Sequence, residues 1–559
     1  MDSNQVRLLN QRYQALKDER ASWWPQWASI SKYITPRSGR YFLTDRNKGW
    51  RRDNSIYDNT ATRALRVLAA GMMSGMTSPA RPWFVLELAD QDLMKYQPVK
   101  EWLSQCSRLV LDVFAQSNLY RVLHGMYGEL GAFGTGGAML GDSFQNIIQM
   151  YPFEIGEYSI ATNFMGEVDT IYREFDATVG ALVKEFGYNN CSHSVKQAWD
   201  KGNLHLWITI RHAIEPRADR EPGKLGPLNM PWKSVYWESS VSTGQVLRES
   251  GFKQFPCVIP RWMTQGGDMY GNSPGMDCLG DVIGLQSHEF RKLQAVDYKV
   301  MPPLQIPTEY MNREIETFPG GRIFYDSTTQ NGGIRSAWDV ALDLRELLMI
   351  QQDVRQRIDD AMYKNLFLMI SENTAPAAMT ATQVSTMNEE KLLMLGPVVE
   401  RLNDELGKPL VTIVFERMLK ANLLPPAPPE LNGHSLTIQF ISMLAQAQKQ
   451  VNVNAIDRFV AGIIQVAAVK PSVLDKLDAD SYVDVMGDTL GVDPVLITSN
   501  QNLAFIREQQ ARQQQQMQNN MILAHGANIA KTLGDTNTGP DTAAGQLMQR
   551  MQAQQSSAA

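Results

Sequence analysis

The chain has 559 residues, a formal net charge of −6 and 20% charged side chains. That length exceeds what one small hydrophobic core needs, so several subdomains are expected. The slightly acidic balance excludes a strongly basic nucleic-acid-binding protein, and no apolar run reaches the roughly 18 residues of a membrane span.

The first half of the chain mixes amphipathic helices with strand-like segments. Residues 3–34 predict one amphipathic helix that Pro36 stops, and its tryptophans are interpreted as packing residues. Further helices are predicted at residues 60–76, 99–119, 120–130 and 178–186. Strands are predicted at residues 83–88, 204–212 and 233–238. This half of the chain is therefore expected to be α+β.

A short basic run lies between the first two helices. Residues 46–52 contain four Lys or Arg side chains together with Trp50. One interpretation is contact with phosphates. A solvated loop is favoured instead, because the run is short and the chain is net acidic.

A helix with a clear start follows residue 273. Ser273 can cap it, Pro274 suits the first helical position, and Asp277 lies near the positive end of the helix dipole. Pro302 and the next proline end it. Its apolar positions recur at near-helical spacing: Leu279, Val282, Ile283, Phe290, Leu293, Val296 and Val300.

Residues 301–336 cannot continue this helix, because they contain repeated Pro and Gly breakers with short β-prone runs between them. We interpret them as a small extended module inserted between two helices. The second helix is predicted at about residues 340–369, with a narrow apolar stripe and a densely charged remainder. Such a helix would be roughly 45 Å long.

A polar break at residues 371–379 separates this helix from a third one. Thr380 and Gln383 form a capping box at the start of the third helix. Pro397 and Pro409 lie inside its apolar pattern. Each proline removes a backbone donor, so the helix is expected to bend.

The C-terminal part changes composition step by step. A proline-rich spacer at residues 425–429 precedes a predicted strand at residues 434–441, and residues 442–510 are expected to be mostly helical. Residues 501–518 are about half glutamine, which gives weak helicity without an apolar stripe. Residues 534–545 are expected to be flexible, and the last residues frayed or disordered.

Several of these segments resemble the portal (head-to-tail connector) proteins of short-tailed bacteriophages. The most specific are residues 270–277 (YGNSPGMD), 379–384 (MTATQV) and 395–405 (LGPVVERLNDE). Other segments agree with the same family: residues 56–61, 77–84, 117–120, 133–135, 255–262 and 441–448. The likeness spans about residues 5–510.

The resemblance implies an α+β, mainly α fold of portal type, with a wing, a stem, a clip and a crown, and a C-terminal helical barrel or disordered tail. The implied order is an N-terminal wing (1–270), first stem helix (271–300), clip (301–338), second stem helix (339–370), channel loop (371–379), bent wing helix with its following strand (380–440), crown (441–500) and barrel or tail (501–559).

The same resemblance implies a non-enzymatic ring of about twelve subunits at one capsid vertex. Its expected partners are the terminase large subunit, tail adaptor proteins, the major capsid and scaffolding proteins, and double-stranded DNA in the channel; it needs no cofactor, metal or membrane. The chain would reside in the virion, and in the host cytoplasm during assembly. A tail adaptor or another structural ring protein is the alternative.

Two groups of residues are the candidate sites that this resemblance implies. The channel-facing loop would use Glu372, Asn373, Thr374 and Ala375; a structural turn is the alternative for this break. The clip would meet its partners through Arg313, Glu316, Arg322 and Tyr325. Few phosphate contacts are expected in the bore, because a channel that bound DNA at many sites would resist translocation.

The apparent catalytic motifs in the sequence lack groups that their chemistry needs. Residues 271–275 match G-x-S-x-G, but the residue after Ser273 is Pro274, which has no N–H for an oxyanion hole. The glycine-rich residues 131–141 lack the G-K-[ST] ending of a phosphate loop, so a tight turn is favoured. The histidines, including His124 and His288, show no metal-binding spacing.

Two further features suggest the cellular compartment. The N-terminus lacks the basic and apolar regions of a secretory signal. Cys106, Cys191, Cys257 and Cys278 are widely spaced and form no CxxC pair. We therefore expect reduced thiols in a cytosolic product.

Overall fold

The computed structural model describes residues 3–39, 56–90, 93–143, 145–221, 223–224, 226–240, 246–301, 303–306, 335–336, 345–372, 395–431, 436–440, 456, 459–465, 470, 478–490 and 500–534. The chain forms two compact units. The larger comprises residues Met1–Leu93 and Trp102–Asn452, and the smaller comprises Met94–Glu101 and Val453–Ala559.

The described helices, in chain order, are α1 (Ser3–Arg20), α2 (Trp24–Tyr33), α3 (Thr60–Met76), α4 (Gln97–Gln116), α5 (Leu119–Phe133), α6 (Val179–Phe186), α7 (His193–Asp200), α8 (Pro274–Asp277), α9 (Leu279–Val300), α10 (Arg345–Ala361), α11 (Lys364–Glu372), α12 (Gly396–Leu402), α13 (Lys408–Lys420), α14 (Ala479–Leu490) and α15 (Asn500–Gly534).

The described strands are β1 (Phe84–Leu88), β2 (Gly137–Ser143), β3 (Ile147–Phe153), β4 (Tyr158–Thr162), β5 (Val168–Thr178), β6 (Trp207–Pro216), β7 (Trp232–Glu238), β8 (Arg248–Phe252), β9 (Cys257–Val258), β10 (Leu304–Gln305), β11 (Arg335–Ser336) and β12 (Leu436–Phe440). The prediction of an α+β, mainly helical protein is confirmed at this level.

The largest sheet is antiparallel, with strand order β4-β5-β6-β7-β8. Its two faces are covered by different helices because successive side chains of a strand point to opposite sides. Val235 and Trp237 of β7 pack with Leu9 and Tyr13 of α1. Tyr236, between them in sequence, packs instead with residues of α6 and α7.

A second core joins the N-terminal helices to the middle of the chain. It contains buried side chains from α2, α5, α9 and α10, among them Trp27, Phe133, Leu285 and Ile358. Trp27 meets the ring of Tyr270 edge-on, with centroids 5.1 Å apart. The interpretation of the tryptophans as packing residues is therefore confirmed for Trp27.

The predicted single helix at residues 3–34 is wrong in one respect. It is broken between α1 and α2 by a turn at residues 21–23. The cause is Pro25, at the start of α2, which cannot donate a hydrogen bond to the carbonyl of Ala21 and whose ring would clash with it.

The second long helix is also broken. Residues 345–361 form α10, and α11 begins after Tyr363, whose φ is +55°. A non-glycine residue in the left-handed region costs free energy and needs tertiary compensation. Here α11 packs on α3: a Cβ on Gly71 would lie 2.2 Å from the ring of Phe367. Residues 340–344 of the prediction lie outside the described residues.

The predicted disruption of the third helix is confirmed at Pro409 and not at Pro397, and the predicted capping box of Thr380 and Gln383 lies outside the described residues. A π-helical turn at Asn403–Gly407 separates α12 from α13, immediately before Pro409. The π turn relieves the clash that Pro409 would make with the carbonyl four residues earlier. Pro397 sits in the first turn of α12, where its missing N–H is not needed.

Two strand pairings connect distant parts of the chain. β1 pairs antiparallel with β12, in the register Phe84↔Phe440 through Leu88↔Leu436. β10 pairs with β11, in the register Leu304↔Ser336 and Gln305↔Arg335. The second pairing joins the two ends of the segment predicted to be an insertion, so that segment leaves and returns at one place.

The smaller unit contains α14 and α15. Arg507 forms a bidentate ion pair with Asp480, with N–O distances of 2.6 and 2.7 Å. The glutamine-rich segment was expected to be weakly helical by itself, and it lies within the continuous 35-residue helix α15. Several large apolar side chains on this helix are exposed: Phe505, Ile506, Met517, Met521 and Ile522.

Candidate functional site

The candidate site is the pair of helices α9 and α10, which flank the inserted segment. Three contacts define their orientation: Lys292 with Gln351, Glu289 with Arg355, and Asp281 with Arg357. Later residues of α9 meet earlier residues of α10, so the two helices run antiparallel. At 1.5 Å per residue α9 is about 33 Å long.

The start of the first helix follows the predicted chemistry. Ser273 Oγ accepts a hydrogen bond from the backbone N–H of Met276 at 3.0 Å and donates one to the carbonyl of Ala132 at 2.7 Å. The side chain is buried, with 1% exposure. A buried hydroxyl with both bonds in use, followed by Pro274, is a helix cap and not a nucleophile.

An ion-pair network ties this helix pair to the segment before α3. The guanidinium of Arg355 donates to Asp58 Oδ2 at 2.9 Å and to Glu289 Oε1 at 2.5 Å. Gln286 Oε1 accepts the backbone N–H groups of Tyr57 and Asp58 at 2.7 and 2.9 Å. Residues 56–60 are thus held by α9 and α10 together.

The pKa of Asp58 is lowered from its usual value. Burial raises the pKa, but hydrogen bonds from Thr60 and the ion pair with Arg355 outweigh that effect. The carboxylate is therefore charged near neutral pH, and its negative charge balances the Arg355 guanidinium.

The two helices also carry an exposed apolar face. Within α9 the predicted stripe splits: Val282 is buried in the chain's own core, whereas Phe290, Leu293 and Val300 are 41%, 49% and 72% exposed. Leu348, Met349 and Ile350 continue this exposure on α10. Exposed apolar side chains that are concentrated in this way are typical of surfaces that bind another protein. We call it the stem face: Phe290, Leu293, Val296, Val300, Leu348, Met349 and Ile350.

The glycine-rich segment forms a buried corner. Gly134, with φ +78°, ends α5, and its carbonyl accepts the backbone N–H of Trp262 at 2.8 Å. A Cβ on Gly134 would lie 2.0 Å from the carbonyl oxygen of Gly271. The predicted tight turn is confirmed, and the close approach of the two backbones leaves no room for a phosphate.

A buried ion pair links the bent helix to the sheet. Arg261, 3% exposed, meets Glu405 of the π turn with an Nη2–Oε1 distance of 2.6 Å. Its Nη2 also donates to the carbonyl of Gly166, between β4 and β5, at 2.8 Å. Sequence reasoning missed this contact, because its members are far apart in the chain.

Histidine and cysteine chemistry does not build a reactive centre in the described part of the chain. His124 is exposed, and His288 is half-buried. Burial lowers the pKa of His212 well below its usual range, helped by Arg173 and Arg248. The cysteines are free and buried, and burial raises the pKa of Cys106, Cys257 and Cys278 to about 12.

Two further searches covered the described residues. No group of three or more His, Cys, Asp or Glu side chains among them could hold a metal ion. None of the helices that the structure defines is both long and apolar enough to cross a bilayer.

Most of the residues predicted for the channel loop and the clip lie outside the described residues. Glu372 is the last residue of α11, so the helix extends two residues into the predicted polar break. The following Asn373, Thr374 and Ala375 lie outside the described residues, as do Arg313, Glu316, Arg322 and Tyr325. The basic run at residues 46–52 lies outside them as well.

Comparison with known proteins identifies the architecture. Residues 6–497 match the family described as bacteriophage head to tail connecting protein. This chain belongs to that family. It is therefore a structural connector of the phage virion and not an enzyme.

Two relatives match over nearly their whole length. The chain is 50% identical over 542 residues to the probable portal protein of Bordetella phage BPP-1, covering 97% of this chain and 98% of the relative. It is 42% identical over 543 residues to the portal protein of Salmonella phage epsilon15, covering 97% of each.

Solved structures give a much weaker likeness. A chain from the neck of an empty gene transfer agent particle, 8% identical, has a TM-score of 0.35 over 77% of this chain and 89% of its own. A chain from a native gene transfer agent virion has a TM-score of 0.32 with 8% identity, over 71% of this chain and 95% of its own. Similarity at this level does not define a shared fold.

Proposed function

We propose that copies of this chain close into the portal ring at one vertex of a bacteriophage capsid, and that double-stranded DNA passes through this ring during packaging and ejection. The observation that carries the proposal is the identity of 50% and 42%, over nearly the full length, to two proteins named as portal proteins. The ring has about twelve subunits.

The stem face supports a ring of identical copies. Leu293 and Val300 are 49% and 72% exposed on α9, although their spacing is that of a buried stripe. Burying the part of each side chain that is still exposed contributes about 1–2 kcal/mol. In a closed ring every copy covers the stem face of a neighbour, so α9 and α10 are the two stem helices.

The inserted segment is proposed to be the clip. The β10–β11 pairing supports this assignment, because it brings the two ends of the segment together between the proposed stem helices. Arg313, Glu316, Arg322 and Tyr325 lie inside it. We assign them to the surface that binds the terminase large subunit during packaging and the tail adaptor proteins afterwards.

Residues 371–379, the first two of which end α11, are proposed to be the channel loop, with Glu372, Asn373, Thr374 and Ala375 facing the DNA. Residues 371–379 contain no Lys or Arg. This supports the role, because charge-assisted phosphate contacts would retard a sliding duplex. Residues 1–270 and 380–440 are assigned to the wing, 441–500 to the crown and 501–559 to the barrel or tail.

The surroundings of the ring follow from its place in the virion. Major capsid and scaffolding proteins are its proposed partners while the shell is built in the host cytoplasm. The coverage of 97% of this chain and 98% of a portal relative disfavours the alternative of a tail adaptor.

The channel assignment is tested by filling the loop. Asn373→Trp with Thr374→Trp is expected to leave ring mass unchanged by native mass spectrometry, and to lower the DNA packaged or retained per particle. The matched control places two tryptophans at exposed Asp219 and Arg220, and should package normally. Failure of the loop variant to form rings would assign the loop to a subunit interface instead.

A further inference from the structure

The turn between β4 and β5 presents two large apolar side chains to solvent. Phe164 is 105% exposed and Met165 is 83% exposed, the two most exposed large hydrophobic side chains among the described residues. Their own chain covers neither side chain. Such a pair at the end of a hairpin is the kind of anchor that a partner protein buries.

The tip is held rigid by its own hydrogen bonds. Asn163 Oδ1 accepts the backbone N–H groups of Met165 and Glu167 at 2.9 and 3.0 Å, and Asn163 Nδ2 donates to Glu167 Oε2 at 2.9 Å. Gly166 takes φ +81° to close the turn. A rigid anchor loses little conformational entropy on binding.

The tip is also fixed to the core of the larger unit. The carbonyl of Gly166 accepts a hydrogen bond from Arg261 at 2.8 Å, and Arg261 is buried against Glu405. This arrangement orients Phe164 and Met165 relative to the bent helix. The fold itself therefore holds these two side chains in an exposed position.

A cavity elsewhere on the same unit has the complementary character. Its volume is about 770 Å³, and it lies between the β2–β3 turn, β8 and α13. Five of its apolar lining residues are Ile147, Phe252, Pro256, Ile413 and Leu423. Volumes of about 300–1,000 Å³ are typical of cavities that bury small ligands, so a Phe and a Met side chain can enter.

The net charges around the two features are opposite in sign. The tip carries Glu167 and Asp169, whereas Lys253 and Lys420 lie at the cavity. Arg417 and Glu416 also line it; Arg417 pairs with Asp142 at 3.2 Å, and Glu416 with Lys420 at 3.8 Å. Three cations and two carboxylates line the cavity, so one positive charge is left over, and it favours the approach of the acidic tip.

We propose that the Phe164–Met165 tip of one copy inserts into this cavity of the adjacent copy in the ring. The proposal rests on the ring assigned above. In a cyclic assembly one patch of each copy meets a different patch of the next, and tip and cavity share no residue. In this contact the apolar tip packs into the cavity, and the packing fixes the relative position of neighbouring wings.

Disulfide trapping tests this contact directly. Met165→Cys and Leu423→Cys are combined in the full-length chain, whose native cysteines are all buried. Rings of this variant, verified by native mass spectrometry, are treated with a mild oxidant. A ladder of covalent oligomers, reversed by reductant, is expected on denaturing gels, whereas each single variant should give no species larger than a dimer.

A second measurement separates packing from proximity. Phe164→Ser should raise the protein concentration at half-assembly by at least roughly tenfold, whereas Phe164→Leu, which keeps an apolar anchor, should stay within about threefold of the native chain.

Each arm has an outcome that would overturn the inference. Native-like rings of the double-cysteine variant without a ladder would mean that the tip faces another virion protein, and the portal ring itself would stand. Unchanged assembly of Phe164→Ser would have the same meaning. A native chain that forms no ring would contradict the proposed function and this contact with it.

Discussion

Arg355 is the residue through which α9 and α10 hold residues 56–60. Its guanidinium lies between Asp58 and Glu289, whose side chains are only 10% and 9% exposed. Without Arg355 the Asp58 carboxylate would lose its ion-pair partner and repel Glu289 more strongly, although Glu289 would keep its ion pair with Lys292. The arginine is thus needed to keep residues 56–60 on the helix pair.

Replacing Arg355 tests this role. Arg355→Gln is expected to lower the free energy of unfolding by about 1–3 kcal/mol, because it leaves the nearly buried carboxylate of Asp58 without its ion-pair partner. The measurement is a urea unfolding curve. The control is Arg357→Gln on the same helix, where the arginine is 55% exposed and pairs with Asp281 at 3.4 Å; its cost should stay within about 0.5 kcal/mol. Equal effects would contradict the account.

The same cluster predicts a pH dependence. Because the pKa of Asp58 is lower in the folded chain than its unfolded value of about 3.9, its contribution is fully present above about pH 4 and is lost as pH falls through the folded pKa. The difference in unfolding free energy between the native chain and Asp58→Asn should therefore shrink below about pH 4. A difference that grows on acidification would contradict the assignment.

At the scale of elements, α9 has two environments along its length. Its first part is packed in the core through Val282 and Leu285, whereas Phe290, Leu293 and Val300 are exposed within one chain. The helical repeat predicts the stripe but cannot tell whether the chain itself or a second copy covers it. Only the packing of α10 and residues 56–60 makes that division visible.

Local chemistry explains which elements the sequence could predict. The cap by Ser273, the first-turn Pro274 and the disruption before Pro409 depend on neighbours within one turn, and all three appear in the structure. The breaks at Pro25 and Tyr363 were missed: the first is also local and was readable, whereas the second depends on Phe367 packing onto α3.

The long-range contacts could not be predicted from the sequence. Both β1 and β12 were expected as strands, but their pairing joins residues more than 300 positions apart. The Arg261–Glu405 pair and the exposed tip at Phe164 likewise need the fold to be visible. The family resemblance supplied the functional assignment, because individual motifs such as G-x-S-x-G pointed to no working site.

The stem face makes a prediction at the element scale. Leu293→Ser is expected to lower the unfolding midpoint of the isolated chain only modestly, since the side chain is 49% exposed there, and to abolish or strongly weaken ring formation. Arg291→Ser, an exposed change two residues away on the same helix, is the control. Light scattering measures the mass of the assemblies that each variant forms. Loss of chain stability with assembly intact would show that Leu293 serves the chain's own core.

For the whole molecule, the features combine into a unit that is incomplete by itself. A rigid tip, an open cavity and the stem face all lie on the larger unit, and each offers surface that a single chain does not bury. A closed ring would cover all three surfaces in the interface that is repeated between neighbouring copies.

Ring closure is the central claim, and the mass of the assembled protein tests it most directly. Native mass spectrometry of the full-length chain, with end-on electron micrographs of the same sample, should give closed rings of about twelve subunits around a central hole. A chain that stays monomeric or dimeric at concentrations that allow assembly, with scaffolding protein supplied, would contradict the portal assignment.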